Sequence, residues 1–203
     1  MERRILEHTL VCSFNYVKII YKVIKMKLAE QSQLKQIYQL FEESFIPSEL
    51  RLFDSFLQLF YNHEFKIYIE EKDLQIIAAL IVWEFNDYIF LENFAVNKKI
   101  RGQGIGGIFL ETLKDIYPNH FMVLEVEENK NELTNRRIQF YQRHQWCLNS
   151  FHYKQPSFRK NIDGEELYMM SYPHLLSHEQ FLNIKSDLFH RVYQCHCQKE
   201  SEK

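Results

Sequence analysis

Cysteine, proline and glycine are scarce in this chain of 203 residues: four, four and five respectively. The cysteines, Cys12, Cys147, Cys195 and Cys197, have no paired spacing that would build a disulfide framework, and they fit a reducing cytoplasm. Charge of either sign is also lacking in excess. A formal net charge of −2 argues against nucleic acid or an anionic membrane as partner, so a charged ligand must be met locally. Long apolar runs are missing too. The opening MERRILEHTLVCSFNYVKIIYKVI is interrupted by Glu7, His8, Lys18 and Lys22 and is followed by no small-residue cleavage site. It reads as an extension over residues 1–24, or the start of a first strand, with Met1 or Met26 as the natural start, and not as a signal peptide or membrane span. No metal is expected. His190, Cys195, His196 and Cys197 form only a loose group near the chain end, and His174 and His178 lack the intervening acid of a metalloprotease helix.

Apolar residues make up 46% of the chain and aromatic residues 15%, enough for one sizeable core. No repeat or low-complexity linker divides it, so the main domain is read as 25–175, followed by a C-terminal helix and tail over 176–203 that packs on the outside. Helical periodicity places Leu34, Ile37, Leu40 and Phe41 on one face, and Leu50, Phe53, Phe56, Leu57 and Phe60 on another. FKIYIEE, QIIAALIVWEF and YIFLENFAV then read as an antiparallel meander, with turns at Glu71-Lys72-Asp73 and Asn86-Asp87. A helix through Ile105, Phe109, Leu113 and Ile116 ends at Pro118. The strand FMVLEVEE, the helix NELTNRRIQFYQRH, the strands WCLNSFHY and ELYMMSYP and a last helix complete the order.

Four of the five glycines, Gly102, Gly104, Gly106 and Gly107, stand in the single stretch IRGQGIGG. Glycine costs about 0.5–1 kcal/mol relative to alanine in regular structure, so the cluster requires a tight turn or a close backbone approach. Lying between a strand and a helix, it offers free amides at the positive end of a helix dipole, an arrangement suited to phosphate. No Gly-Lys-Ser/Thr follows, which excludes a P-loop. Gly102, Gly104 and Gly107 satisfy a dinucleotide fingerprint, with Glu125 about twenty residues on. Against that reading, residues 97–101 separate strand from loop, and only one parallel unit is present.

FLENFAVNKKIRGQGIGGIFLETL resembles the acetyl-CoA-binding core of the GNAT superfamily of N-acetyltransferases. The family's signature of Arg or Gln, two residues, Gly, one residue, then Gly or Ala is matched by Arg101, Gly104 and Gly106. LEVEE and RRIQFYQRHQW resemble its next strand and helix, so the likeness runs from about Lys25 to Tyr172. It implies an α/β fold of the α+β type, with a mostly antiparallel mixed sheet, a splayed parallel strand pair and flanking helices. The amides from Gly102 and Gln103 through Gly104, Ile105, Gly106 and Gly107 would cradle the coenzyme's pyrophosphate, with Arg101 adding charge. Backbone groups of Phe94, Ala95 and Val96 would pair with the pantetheine arm and polarise the acetyl carbonyl.

By the same resemblance, Tyr141 is the general acid for the departing thiolate. Glu92 is the candidate general base, alternation placing it on the face of Phe94 and Val96, with an ion pair as the competing role. Glu125 and Glu127 are further candidates for that work. The family's asparagine contact to pantetheine falls at Thr134, with Asn135 beside it. Its Gly-Phe after the helix is Gln145-Trp146, which predicts a strained or reshaped exit.

SFIPSELRLFDSF and HYKQPSFRKNIDGEE bound the acceptor side, where Phe45, Phe53, Tyr153 and Phe158 are candidate lining residues. The expected activity is transfer of an acetyl group from acetyl-CoA, as co-substrate, to a primary amine on a small molecule or peptide, by direct attack. The alternatives are an acyl-CoA-binding or sensing module without turnover and a dinucleotide-binding protein. A homodimer is compatible with the sequence, as is a cytoplasmic location.

Overall fold

A computed structural model describes residues 25–159 and 162–193. The expectations placed on residues 1–24, Cys12, Cys195, His196, Cys197 and the tail from 194 onward lie outside the described residues. The strands are β1 (Lys27–Leu28), β2 (Phe65–Lys72), β3 (Gln75–Glu84), β4 (Tyr88–Val96), β5 (Phe121–Glu127), β6 (Cys147–Lys154) and β7 (Glu166–Tyr172). The helices are α1 (Leu34–Glu42), α2 (Phe53–Leu59), α3 (Ile105–Ile116), α4 (Glu132–Arg143) and α5 (His178–Asp187), the last running into a π-helical turn over Leu188–Tyr193.

The strands form one sheet in the order β1-β2-β3-β4-β5-β7-β6. Every neighbouring pair is antiparallel except β4–β5. The meander follows from its turns. Asp73 and Leu74 both take positive φ, 50° and 62°, between the paired residues Lys72 and Gln75, a two-residue turn whose twist matches the strands.

Each face of the sheet carries its own core. On one, α1 buries Leu34, Ile37, Leu40 and Phe41 and α2 buries Phe56, packed with Trp83, Phe90 and Ala95. On the other, α3 buries Phe109, Leu110 and Leu113 and α4 buries Ile138, against Leu80, Val82 and Leu91. The C-terminal helix does not pack on the outside as its position in the chain suggests. Phe181, Ile184, Leu188, Val192 and Tyr193 recur at helical spacing and are buried in the first core, so the segment is part of the same folded unit.

Two departures from regular pairing shape the centre of the sheet. β4 and β5 are paired from Tyr88–Phe121 to Leu91–Leu124 and no further. Beyond that point β4 stays with β3 as far as Val96 and β5 stays with β7 as far as Glu127, so the strands splay apart. The second departure is a bulge. Between the pairs Val82–Leu91 and Leu80–Phe94, β3 advances two residues and β4 three. One extra residue reverses the inside–outside alternation of β4. Phe90 and Ala95 therefore belong to one core, and Leu91, Phe94 and Val96 to the other.

Candidate functional site

The glycine loop lies at the mouth of the splay. Gly102 and Gly104 have φ of +80° and +81°, the left-handed region where a side chain is strained. A Cβ on either would meet nothing within 4 Å, so their role is to shape the backbone beside open space. Gly106 and Gly107 have a different reason. A Cβ at Gly106 would lie 3.2 Å from the Phe140 ring, and one at Gly107 would lie 2.6 Å from the His144 ring, so both let α4 pack against the first turn of α3.

Gly104 is the N-cap of α3 and supplies no side-chain acceptor. α4 and α5, by contrast, are closed by capping boxes from Asn131 and Ser177. The first amides of α3 thus keep their donors at the positive end of the helix dipole. Arg101 anchors the loop by donating from Nε to the Val96 carbonyl at 2.9 Å and from Nη2 to Ser44 Oγ at 3.3 Å.

A cleft of about 1140 Å³ runs from this loop through the splay. Its walls include Glu92, Phe94, Val96, Arg101 and Gly102 to Gly107 on one side, and Arg136, Arg137, Phe140, Tyr141, Arg143 and His144 from α4 on the other. Phe45, Glu49, Glu125, Glu127, Gln155 and Phe158 also line it. The loop residues, Phe94, Val96, Glu92 and Tyr141 are therefore gathered in one place.

Ala95, Thr134 and Asn135 are not on the cleft wall. The Ala95 side chain turns into the opposite core after the bulge. Thr134 Oγ1 accepts from the amides of Lys130 and Asn131, at 3.1 and 3.2 Å, and donates to the Asn131 carbonyl at 3.0 Å, which commits it to the α4 cap. Of the aromatic candidates, Phe45 and Phe158 line the cleft. Phe53 packs on Tyr38 with ring centroids 5.0 Å apart, and Tyr153 is buried beneath the wall.

Glu92 does not share a face with Phe94 and Val96, because the bulge intervenes. Its carboxylate forms an ion pair with Arg51, both side chains being only 3% exposed, and accepts a 2.6 Å hydrogen bond from Trp83 Nε1. Arg51 also lies over the Phe158 ring, 4.1 Å from its centroid, and donates from Nη2 to the Val192 carbonyl at 3.2 Å. Glu127 is likewise paired, with Arg137.

Glu125 stands apart. It lines the cleft, and its carboxyl is pushed up to about 7, chiefly by burial. Hydrogen bonds from the Tyr153 and Tyr193 hydroxyls hold it down, the nearby Glu49 raises it and Arg51 lowers it. Burial also raises Glu49, and Glu127 adds to that. Burial pushes the Tyr141 phenol up to about 12, so it carries its proton at neutral pH.

The family model of the acetyltransferase (GNAT) family matches residues 34–145, more than half of the chain. The chain belongs to the GNAT acetyltransferase family. A protein of Bacillus subtilis strain 168 named as an acetyltransferase, YjbC, is 31% identical over 129 residues, a match that spans 62% of this chain and 66% of that protein. A solved structure assigned to the GNAT family, from Bacteroides thetaiotaomicron, aligns with a TM-score of 0.76 at 29% identity and covers 84% of this chain and 98% of its own. The ribosomal-protein-S18-alanine N-acetyltransferase of Escherichia coli shares the fold, with a TM-score of 0.56 at 18% identity over 77% of this chain and 97% of its own. The mixed sheet with one parallel, splayed pair is the GNAT arrangement expected from the sequence. No described helix is long and apolar enough to cross a membrane.

Sequence reading found Tyr141 but passed over Arg51, Tyr193 and the other cleft-lining side chains of α4. The last were within reach, because Leu133, Arg136, Arg137, Phe140 and His144 recur with Tyr141 at three- and four-residue steps along one helical face.

Proposed function

We propose that the chain transfers the acetyl group of acetyl-CoA to a primary amine, with Tyr141 as general acid and Glu125, in place of Glu92, as general base. The observation that carries this reading is the meeting in one cleft of an uncapped, glycine-shaped helix start with an opened β4 edge and Tyr141. The α3 amides and Arg101 fit the coenzyme's pyrophosphate, and the α4 arginines Arg136 and Arg143 add positive charge along the same wall. β4 beyond Leu91 has backbone groups free of β5 to meet the pantetheine arm and polarise the carbonyl. When bound, the coenzyme supplies a thioester held close to the acceptor, and that proximity is worth several kcal/mol of the barrier.

Glu92 is poorly suited to the role of base, since accepting a proton there would leave Arg51 buried without its counter-charge. Glu125 binds a proton near neutral pH and shares the cleft lining with Glu49, Gln155 and Phe158, from the two segments assigned to the acceptor side. It takes one proton from the ammonium, directly or through a water, and the freed amine attacks the thioester carbonyl; the C–S bond breaks as Tyr141 protonates the thiolate, and the second proton leaving the nitrogen restores the Tyr141 phenol.

Calorimetric titration with acetyl-CoA and, in parallel, NADH tests the reading. Saturable binding of acetyl-CoA alone, followed by amine-dependent thiol release, is the expected result. Binding of NADH instead overturns it. The commitment of Thr134 to the α4 cap favours a second reading, a coenzyme-binding module without turnover, for which no amine in a broad panel releases thiol.

A further inference from the structure

Glu125 is gripped from two separate elements. Oε1 accepts from the Tyr153 hydroxyl on β6, and Oε2 accepts from the Tyr193 hydroxyl at the end of the π-helical turn. Both tyrosines are almost fully buried, at 4% and 3% exposure, so each hydroxyl has lost its water and depends on the carboxylate. The turn that carries Tyr193 is tied down at the preceding residue, where the Val192 carbonyl accepts from Arg51. Tyr193 also packs on Phe158, with ring centroids 5.0 Å apart, and Phe158 lines the cleft.

We propose that Tyr193 is a positioning residue for the reaction, acting with Tyr153 as a two-hydroxyl clamp that fixes the Glu125 carboxylate and sets the pH at which it becomes a base. This rests on the assignment of Glu125 as general base. The C-terminal segment thereby belongs to the site.

The groups that face Glu125 are few. Tyr153 comes from β6 and Tyr193 from the π-helical turn, while Glu49 and Arg51 come from the segment ahead of α2, with Arg51 also holding Glu92 of β4. Two phenol donors favour the charged carboxylate, and Glu49 opposes it. A carboxylate stripped of one donor holds its proton to higher pH.

The test is a Tyr193→Phe variant, which keeps the ring and removes the hydroxyl. The Glu125 carboxyl is followed by 13C NMR through a pH titration without substrate, its resonance identified by its loss in Glu125→Gln. The expected result is an upward move of the titration midpoint by about one pH unit. The acid limb of kcat/KM should move with it. An unmoved midpoint in a variant with native near-UV circular dichroism overturns the clamp. If Tyr193→Phe does not fold, Tyr153→Phe carries the same test at Oε1. The two failures are distinguishable. Full activity in Glu125→Gln overturns the general-base assignment, whereas the NMR midpoint decides the clamp without reference to activity.

Discussion

Arg51 and Glu92 face each other as a buried ion pair at the wall of the cleft, with Trp83 Nε1 completing the carboxylate's contacts. Removing one partner of such a pair leaves the other charged and desolvated, at a cost of about 3–5 kcal/mol. Glu92→Gln is therefore expected to lower stability in a urea melt by an amount in that range. The variant that remains folded should keep the acid limb of its pH–rate profile where the wild type has it. A limb displaced or abolished in Glu92→Gln would return the role of base to this residue.

Glu125 makes stability depend on pH in the opposite sense to an ordinary surface carboxylate. Its folded-state value of about 7 lies above the ordinary carboxylate value of 4.5, so the folded chain holds more protons than the unfolded chain between those limits. Stability is then greatest below about pH 4.5 and is lost as pH rises through about 7, with a total of a few kcal/mol. Glu125→Gln has no carboxyl to titrate there. Its melting temperature relative to wild type should rise between pH 5 and pH 8, and a difference that stays flat across that span would contradict the raised proton affinity. The offset at any single pH also contains altered hydrogen bonds to Tyr153 and Tyr193, so the slope is the informative quantity.

Tyr141 meets the cleft with its proton retained, as a general acid requires. Tyr141→Phe removes that proton and little volume. The expected outcome is a fall in kcat of about 10²–10⁴-fold, with the calorimetric affinity for acetyl-CoA nearly unchanged. An equal loss in affinity would make Tyr141 a binding residue instead.

The order of strands and helices was legible in the sequence because hydrophobic period and turn chemistry agreed along the meander and around the glycine loop. The position of Glu92 was not. Alternation carries parity forward without error only while pairing is regular, and nothing in Leu91-Glu92-Asn93-Phe94 announces the extra residue that reverses it. The last helix showed its apolar stripe plainly, in Phe181, Ile184, Leu188 and Val192. That this stripe would carry Tyr193 across to Glu125 on β5 is a long-range contact, which periodicity does not encode. The capping role of Thr134 was hidden for a local reason, since an Asn-x-x-Thr sequence at a helix start serves a capping box as readily as a ligand contact.

The exit of α4 bears out the strain expected from Gln145-Trp146. Gln145 has φ of +66°, its amide bonds to the Gln142 carbonyl at 3.0 Å, and the Trp146 amide bonds to Tyr141 at 3.1 Å. That is a Schellman ending, with glutamine where glycine is preferred. Gln145→Gly should raise stability by about 0.5–1 kcal/mol, the left-handed penalty outweighing glycine's entropy cost. Chemical denaturation checks this, and a destabilised variant would show that the Gln145 side chain contributes contacts that outweigh its strain.

Gly107 lies directly against His144, and the two together set how closely α3 and α4 approach beside the coenzyme loop. The imidazole has limited room to withdraw, because Nδ1 is 3.0 Å from Glu111 Oε1 and the ring packs on Phe140 with centroids 5.1 Å apart. A methyl group at 107 must therefore displace the ring or part the helices. Gly107→Ala is expected to lose about 1–3 kcal/mol of stability, the usual cost of overpacking. It should also weaken acetyl-CoA binding, because the first turn of α3 carries the amides assigned to the pyrophosphate. In a His144→Ala background the same substitution has space for its methyl, so the stability loss should largely disappear. Coupling measured by this double-mutant cycle decides the point. Additive effects would mean that Gly107 is required for a reason other than the His144 ring.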